Sequence, residues 1–473
     1  MKRIETDYLI VGAGAVGLCF ADTMLERDPD ARMTIVDRHP KPGGHWNDAY
    51  GFVSLHQPSS TYGLSSMELG TGRIDESGPN EGFMELASGA EVLAHFDNAM
   101  RDRLLPSGRV TYHPSSEYCG EHRFRGLLSD EETEVDVHRR VVDCTYFQTA
   151  TPATHTRQFK VADDVRIDTP GSLVHLWRNP ERVPRHYCIL GGGKTAMDTG
   201  VFLLSQGVAP DRITWVRPRE SWLINRAMTQ PGASFFADVV DGQRRIFEAA
   251  GKAATAEELF LDLEATGDML RLDPDVMPRM FHYATISEGE VAMLRRIGDV
   301  VRQGRVHSID GQGMVLAEGE RTMPDDTLYI DCTASAVRPR PTVPVFQEGL
   351  ITPQLMFVPL VGLNASITAI VEARDATDEE KNALCTPSPF VDDLSGYPMT
   401  LLGTAMNRFA WSQDAEISAW TAKSRLMPGS RAMAQVQKDN PAALAGISRV
   451  QKAVMEAIPN LRRLAEAGEA SGA

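Results

Sequence analysis

The chain has 473 residues, 42% hydrophobic and 24% charged, enough for two or three domains with large cores and far from the composition of disorder. Lys and Arg total 48 against 64 Asp and Glu, a formal charge of −16, so the surface repels phosphate backbones and no nucleic-acid partner is expected. Six cysteines (Cys19, Cys119, Cys144, Cys188, Cys332 and Cys385) lie far apart without a CxxC pair, which argues against a local redox dithiol and structural zinc. The first residues read as a strand and a glycine turn rather than a signal peptide. The longest apolar stretch, Leu355 to Val371, is broken by Pro359, Gly362 and Asn364, so no membrane span is expected and the location expected is cytoplasmic.

In chain order, Asp7 to Val11 is expected as a buried strand, and Gly12-Ala-Gly14-Ala15-Val-Gly17 opens a helix. A second strand, Met33 to Val36, ends at Asp37. Each glycine has a task in a dinucleotide-binding turn: Gly12 for the tight turn, Gly14 for approach of a pyrophosphate, Gly17 for packing of helix on sheet. The pyrophosphate would lie at the helix N-terminus and Asp37 would accept from ribose hydroxyls.

The unit then repeats. His186 to Leu190 is expected as a strand leading into Gly191-Gly-Gly193-Lys194-Thr195-Ala196, with a helix to about Gln206 and Gly207 as its C-terminal cap. Strand Arg212 to Val216 follows and ends at Arg217, where the first copy has Asp37. An acid suits a free 2′-hydroxyl; arginine suits a 2′-phosphate. Arg217 and Arg219, with Lys194, therefore favour NADPH, the alternative being solvated loop charges. Two such units imply two cofactors, FAD resident in the first and a nicotinamide in the second.

After Asp37 comes Lys41-Pro-Gly43-Gly44-His45-Trp46, followed by GFVSLHQPSSTYGLSS. A GGxW segment at this place resembles the flavin-dependent monooxygenase superfamily, which includes flavin-containing, Baeyer–Villiger and N-hydroxylating monooxygenases. The resemblance implies that Gly43, Gly44, His45 and Trp46 contact the flavin cofactor, together with Ala15, Arg38, Tyr118 and Thr145. It implies that His56, Gln57 and Tyr62 line the reaction site as catalytic candidates. Core packing is the alternative for Trp46 and a structural histidine the alternative for His56. A second family stretch, FxGxxxHxxxW, is partly kept: Gly171 and His175 hold their spacing, Thr169 and Asn179 replace the aromatics, and Trp177 is displaced by two. His175 would couple nicotinamide binding to domain movement, a structural role being equally open.

Arg109 to Tyr112 is expected as a strand, with Ser115 to Tyr118 where relatives hold the adenine of FAD. Val141 to Cys144 and Leu328 to Cys332 are expected as two strands, each ending Asp-Cys-Thr, that resemble the crossing strands between the nucleotide domains. Residues 221 to about 304 exceed what a nucleotide domain requires and read as a helical insertion. Its Met228, Phe235, Phe236, Met269, Met277, Met280, Phe281 and Tyr283 serve either a lid or core packing. Asn364 or Ser366 is expected to cap a helix over Ile367 to Ala373, whose N-terminus in relatives faces the flavin carbonyl edge. Thr377-Asp-Glu-Glu380 is a capping box, and Glu466 to Ala473 is expected to fray. Neither HExxH nor GxSxG occurs.

The fold expected is α/β: two Rossmann-like dinucleotide-binding domains, for FAD and NADPH, with a helical insertion. The boundaries expected are 1–165 for the first part of the FAD domain, 166–335 for the NADPH domain, and 336–473 for the return to the FAD domain and C-terminal helices. The resemblance implies an FAD- and NADPH-dependent monooxygenase acting with O2 on a small organic substrate through a flavin C4a-hydroperoxide. An NADPH-dependent flavin reductase or dehydrogenase is the alternative, and a redox sensor on the same fold a third.

Overall fold

The computed structural model describes residues 2–335, 337, 340–436 and 441–472. Ala336, where the return segment is expected to begin, and Ala473, the end of the tail expected to fray, lie outside them. Strand Lys2–Val11 pairs in parallel with Met33–Val36 on one side and Glu132–Asp143 on the other, and Met33–Val36 pairs with Val110–His113. The register sets Val11 opposite both Val36 and Asp143, so Gly12, Asp37 and Cys144 emerge together at the carboxyl edge of the sheet, where open α/β sheets bind ligands.

A second, all-parallel sheet runs in the order Asp299–Val301, Ile213–Val216, His186–Leu190, Thr327–Asp331, Ile167–Asp168. Leu190 lies opposite Val216 and Asp331, so Gly191, Arg217 and Cys332 meet at its carboxyl edge as their counterparts do in the first. The two α/β units expected from the repeat are both present. Every residue of HYCIL is buried, as a strand covered on both faces must be. Alternation divides the packing: Tyr8 and Ile10 join the core under helices Ala15–Arg27 and Val361–Glu372, while Leu9 and Val11 face the smaller core with Phe124 and Val141.

The insertion carries the expected helices, Phe236–Lys252 and Ala256–Ala265, and also a three-stranded sheet of Met269–Leu270, Ser221–Asn225 and Met280–Ile286. Its aromatic residues form a third core. Trp222 stacks on Phe260 at 5.5 Å, and Phe281 meets Tyr397 of helix Gly396–Gln413 at 5.0 Å. Met269, Met280, Phe281 and Tyr283 are buried, whereas Met277 is exposed. Ala457 and Leu461 of the long helix Pro441–Gly472 complete that core, and this helix carries residues 466–472, which the composition assigned to a frayed tail. No described helix is long and apolar enough to cross a membrane.

One helix start differs from expectation. The helix expected from Ile367 begins at Val361, with Leu360 at the N-cap, so neither Asn364 nor Ser366 caps it. Asn364 is buried inside the first turn, where its Oδ1 accepts from Phe357 N at 2.9 Å and its Nδ2 donates to Leu360 O at 2.8 Å. The amide thus ties down the preceding loop. Ser366 is bonded to Thr23 at 2.9 Å, joining this helix to Ala15–Arg27. The Thr377 capping box forms as expected, with Glu380 Oε2 accepting from Thr377 N at 2.8 Å.

Candidate dinucleotide sites and the junction between them

At the first turn Gly12 has φ +105°, and a β-carbon on Gly17 would stand 2.0 Å from Gly12 O, so this helix can pack on its own turn only with glycine there. Gly43 N donates to Ala13 O at 2.8 Å, and a β-carbon on Gly44 would stand 3.0 Å from Gly14 Cα. No side chain caps the helix N-terminus at Gly14, and no acid occupies its first turn, so Ala15 and its neighbours present free N–H groups. Asp37 Oδ2 accepts from Ala13 N at 2.5 Å and Oδ1 from His39 N at 2.7 Å. The His39 ring lies between Asp37 and Asp48, at 2.8 and 2.9 Å. Arg38 is exposed beside them. This glycine cradle, uncapped helix and strand-end acid fit a pyrophosphate and ribose.

The second turn is built alike. Gly191 has φ +125°, and a β-carbon there would stand 2.7 Å from Cys332 O; a β-carbon on Gly12 would stand 3.5 Å from Thr145 Cγ2. Each Asp-Cys-Thr therefore abuts the first glycine of its own turn, with Thr145 Oγ1 donating to Asp143 at 2.6 Å and Thr333 Oγ1 to Asp331 at 2.6 Å. Helix Lys194–Ser205 starts after Gly193, again with no capping side chain and no acid.

Arg217 is buried. Its guanidinium lies 4.7 Å over the Trp215 ring, and its Nε stands 3.2 Å from Glu220 but finds no hydrogen-bond partner among the described residues. Burial lowers its pKa to about 10, against the raising effect of Glu220, which leaves it charged at neutral pH. Arg302 shares Glu220 at 2.8 Å. Arg219 is exposed and reaches Met280 Sδ at 3.5 Å. An orphaned guanidinium nitrogen at the strand end fits the 2′-phosphate of NADPH.

Lys194 points elsewhere. Its ammonium is bound to Asp198 and lies 3.2 Å from Glu290, so it is committed to carboxylates and does not join the two arginines. Tyr50 OH donates to Asp198 Oδ2 at 2.7 Å, and His56 Nε2 lies 3.7 Å from the same oxygen. Phe52 stacks on Phe202 at 4.0 Å. Arg226, 1% exposed, pairs with Glu290 at 2.6 Å and donates to His56 O at 3.0 Å and Asn80 Oδ1 at 3.1 Å. Burial pushes the Asp198 and Glu290 carboxyls up, but Lys194 and His56 together at Asp198, and Lys194, Arg226 and the Ser287 N–H together at Glu290, hold them below the usual carboxylate range. The first unit thus meets the second through a buried charge cluster.

The loop after GGxW is held from the other side. Trp46 Nε1 donates to Tyr62 OH at 2.9 Å, and both rings pack on the first core, with His45 stacked on Trp46 at 5.5 Å. Tyr62 is buried, and burial pushes its phenol above the usual range. Arg425 Nη1 donates to Ser60 O and Tyr62 O, each at 2.7 Å, while Nη2 donates to Met67 O at 2.5 Å and to Leu64 O. Gln57 is half-buried.

The structure brings Gly12, Gly14, Gly17, Gly43, Gly44, Asp37 and Thr145 together at the first turn, and Gly191, Gly193, Thr195, Arg217 and Arg219 at the second. His56 joins the second group through Asp198. Tyr118, on strand Ser116–Gly120, packs against the smaller core, and His175 stands exposed on the short helix Leu173–Leu176. Tyr50, Asp198, Arg226, Glu290, His39 and Arg425 were not singled out from the sequence. Lys194, Asp198 and Phe202 recur at helical spacing, a legible stripe; nothing local marks Arg226 or Arg425.

These features define an α/β protein with two glycine-rich strand–turn–helix units in one chain. Residues 10–54 match the family model described as NAD(P)-binding Rossmann-like domain. Over 427 residues, 90% of this chain and 78% of the relative, the sequence is 42% identical to "Uncharacterized protein Rv2000" of Mycobacterium tuberculosis (strain ATCC 25618 / H37Rv), and the chain belongs to the family of that protein. Similar solved structures include the polycyclic ketone monooxygenase from the fungus Thermothelomyces thermophila, with TM-score 0.49 and 12% identity, covering 98% of this chain and 88% of that one. An open structure of cyclohexanone monooxygenase gives TM-score 0.48 and 15% identity, covering 87% of this chain and 98% of that one.

Proposed function

We propose that this protein is an FAD- and NADPH-dependent monooxygenase of the cytoplasm that inserts one atom of O2 into a small organic substrate. The observation that carries the reading is the pair of uncapped glycine turns whose following strands end differently, one at Asp37 and the other at Arg217. Asp37 holds the ribose of FAD at the first turn, and Arg217 with Arg219 holds the 2′-phosphate of NADPH at the second. We assign residues 1–165 and 336–473 to the FAD unit and 166–335 to the NADPH unit. Bound FAD supplies acceptance of hydride from NADPH and activation of O2. The chain's own part is to place the two nucleotides, exclude water and offer polar groups near the flavin, with His56 and Gln57 as those groups.

The alternative is an NADPH-dependent reductase without oxygenation; the Tyr62 hydroxyl accepts from Trp46 Nε1 and keeps its own proton to donate. The experiment measures oxygenated product and hydrogen peroxide per NADPH consumed by the FAD-loaded protein over a panel of ketones, amines and sulfides. Product in step with NADPH supports the monooxygenase. Stoichiometric peroxide with every compound and brisk transfer to artificial acceptors supports the reductase.

A further inference from the structure

The face of helix Lys194–Ser205 that meets the first unit carries Lys194, Asp198 and Phe202, one turn apart. Phe202 takes the Phe52 ring, Asp198 takes the Tyr50 hydroxyl, and the His56 ring comes to the same carboxylate. His56 is also gripped at its backbone, where Arg226 holds its carbonyl. The residue is therefore fixed at both ends by the second unit, although it belongs to a loop of the first. Its ring is 37% exposed, and Nδ1 has no partner among the described residues. At 3.7 Å the Nε2 contact is longer than a hydrogen bond, a common state of catalytic contacts before ligands bind.

A buried cluster of Asp, Glu, Lys and Arg is a weak source of stability, since desolvation offsets most of the attraction. Its effect here is to specify an arrangement. Charges alternate along Arg226, Glu290, Lys194 and Asp198, so the cluster is neutral only while the His56 ring is uncharged. An uncharged ring with Nε2–H directed at Asp198 leaves Nδ1 as an acceptor.

We propose that Asp198 is the positioning residue for His56: the helix opening at the second glycine turn fixes the ring with Nε2–H toward the carboxylate, leaving Nδ1 to accept from an N–H or O–H of a ligand bound between the two units. This rests on the two-cofactor reading for the ligand, not for the positioning. The groups facing the ring are Asp198 and Lys194 from the helix, Arg226 and, behind them, Glu290 from the insertion, and Tyr50 from its own loop. Burial lowers the His56 pKa, Lys194 and Arg226 lower it further, and Asp198 opposes them.

The test is a nuclear magnetic resonance titration of the His56 ring in the full chain, with H56Q identifying its resonance. D198N removes the negative neighbour, and the ring is expected to titrate at lower pH than in wild type. K194M removes the positive neighbour, and the ring is expected to titrate higher. Opposite signs require that His56 senses both groups directly; no shift, or shifts of one sign, overturns the proposal. Where D198N does not fold by near-ultraviolet circular dichroism, Y50F carries the test. Freed of that hydroxyl, Asp198 acts on His56 more strongly and the ring titrates higher, and an unmoved titration in Y50F overturns the proposal. NADP⁺ is added last to wild type. Opposite shifts without any response to NADP⁺ leave the positioning standing and count against the NADPH assignment alone.

Discussion

Trp215 joins Arg217 to the second glycine turn: its ring lies 4.7 Å beneath the Arg217 guanidinium, while its Nε1 donates to Gly191 O at 2.8 Å. One indole fixes both the glycine turn and the charge beside it. Coenzyme choice should therefore respond to Trp215 as well as to Arg217. R217A/R219A is expected to raise KM for NADPH at least about tenfold, roughly 1.4 kcal/mol of lost binding, with little change for NADH. W215L should produce part of that loss, because the guanidinium loses its platform. Steady-state KM values for both coenzymes decide it, and an unchanged NADPH to NADH ratio in the double variant would remove these arginines from the site.

FAD retention should depend on Asp37. D37A removes the carboxylate that accepts from Ala13 N and that we propose accepts from the ribose, and a loss of about 1–3 kcal/mol in FAD affinity is expected. Fluorescence titration of the apoprotein with FAD reads it. Affinity equal to wild type would mean that the ribose lies elsewhere.

Arg425 should matter for stability more than any charge on the surface. Four backbone carbonyls of residues 60–67 accept from one buried guanidinium, and R425M leaves them without donors. The expected cost is about 3 kcal/mol or more, read by urea unfolding. A loss below about 1 kcal/mol would show that water replaces the side chain, because a buried carbonyl left unpaired costs at least that much.

Acid should open the junction before the cores. Asp198 and Glu290 are held below the ordinary carboxylate range in the folded protein, so each contributes stability that is fully present above the unfolded value near about 4 and is lost as pH falls through the lower folded value. Hydrogen exchange between about pH 2 and 4 is expected to speed first in Tyr50 to His56, relative to strand His186–Leu190. Uniform exchange across both segments would mean that the charge cluster does not hold the junction together.

The parts legible in the sequence are those in which a local pattern carries its own physics. GAGAVG and GGGKTA each follow an apolar run with no room for another structure, and strand His186–Leu190 has the bounds expected from HYCIL. The repeated Asp-Cys-Thr was readable as a motif, although its contact with the first glycine of each turn was not. Lys194 and Asn364 show the limit. Lys194 sits in a glycine motif that suggests phosphate, yet Asp198 and Glu290 compete for it, and Glu290 is 96 residues away. Asn364 looks like a cap, yet the loop it fixes supplies better partners than the helix end. The sheet within the insertion escaped because its strands are short and its apolar residues fit either helix or strand.

The proposal of two nucleotides in one chain, one at each turn, meets its sharpest test in anaerobic mixing of FAD-loaded protein with NADPH or NADH, followed by flavin absorbance. The protein is expected to retain FAD, NADPH to bleach it faster than NADH, and R217A/R219A to remove most of the difference. A protein that takes up no flavin, or holds one that neither coenzyme reduces, does not carry two nucleotides in this way.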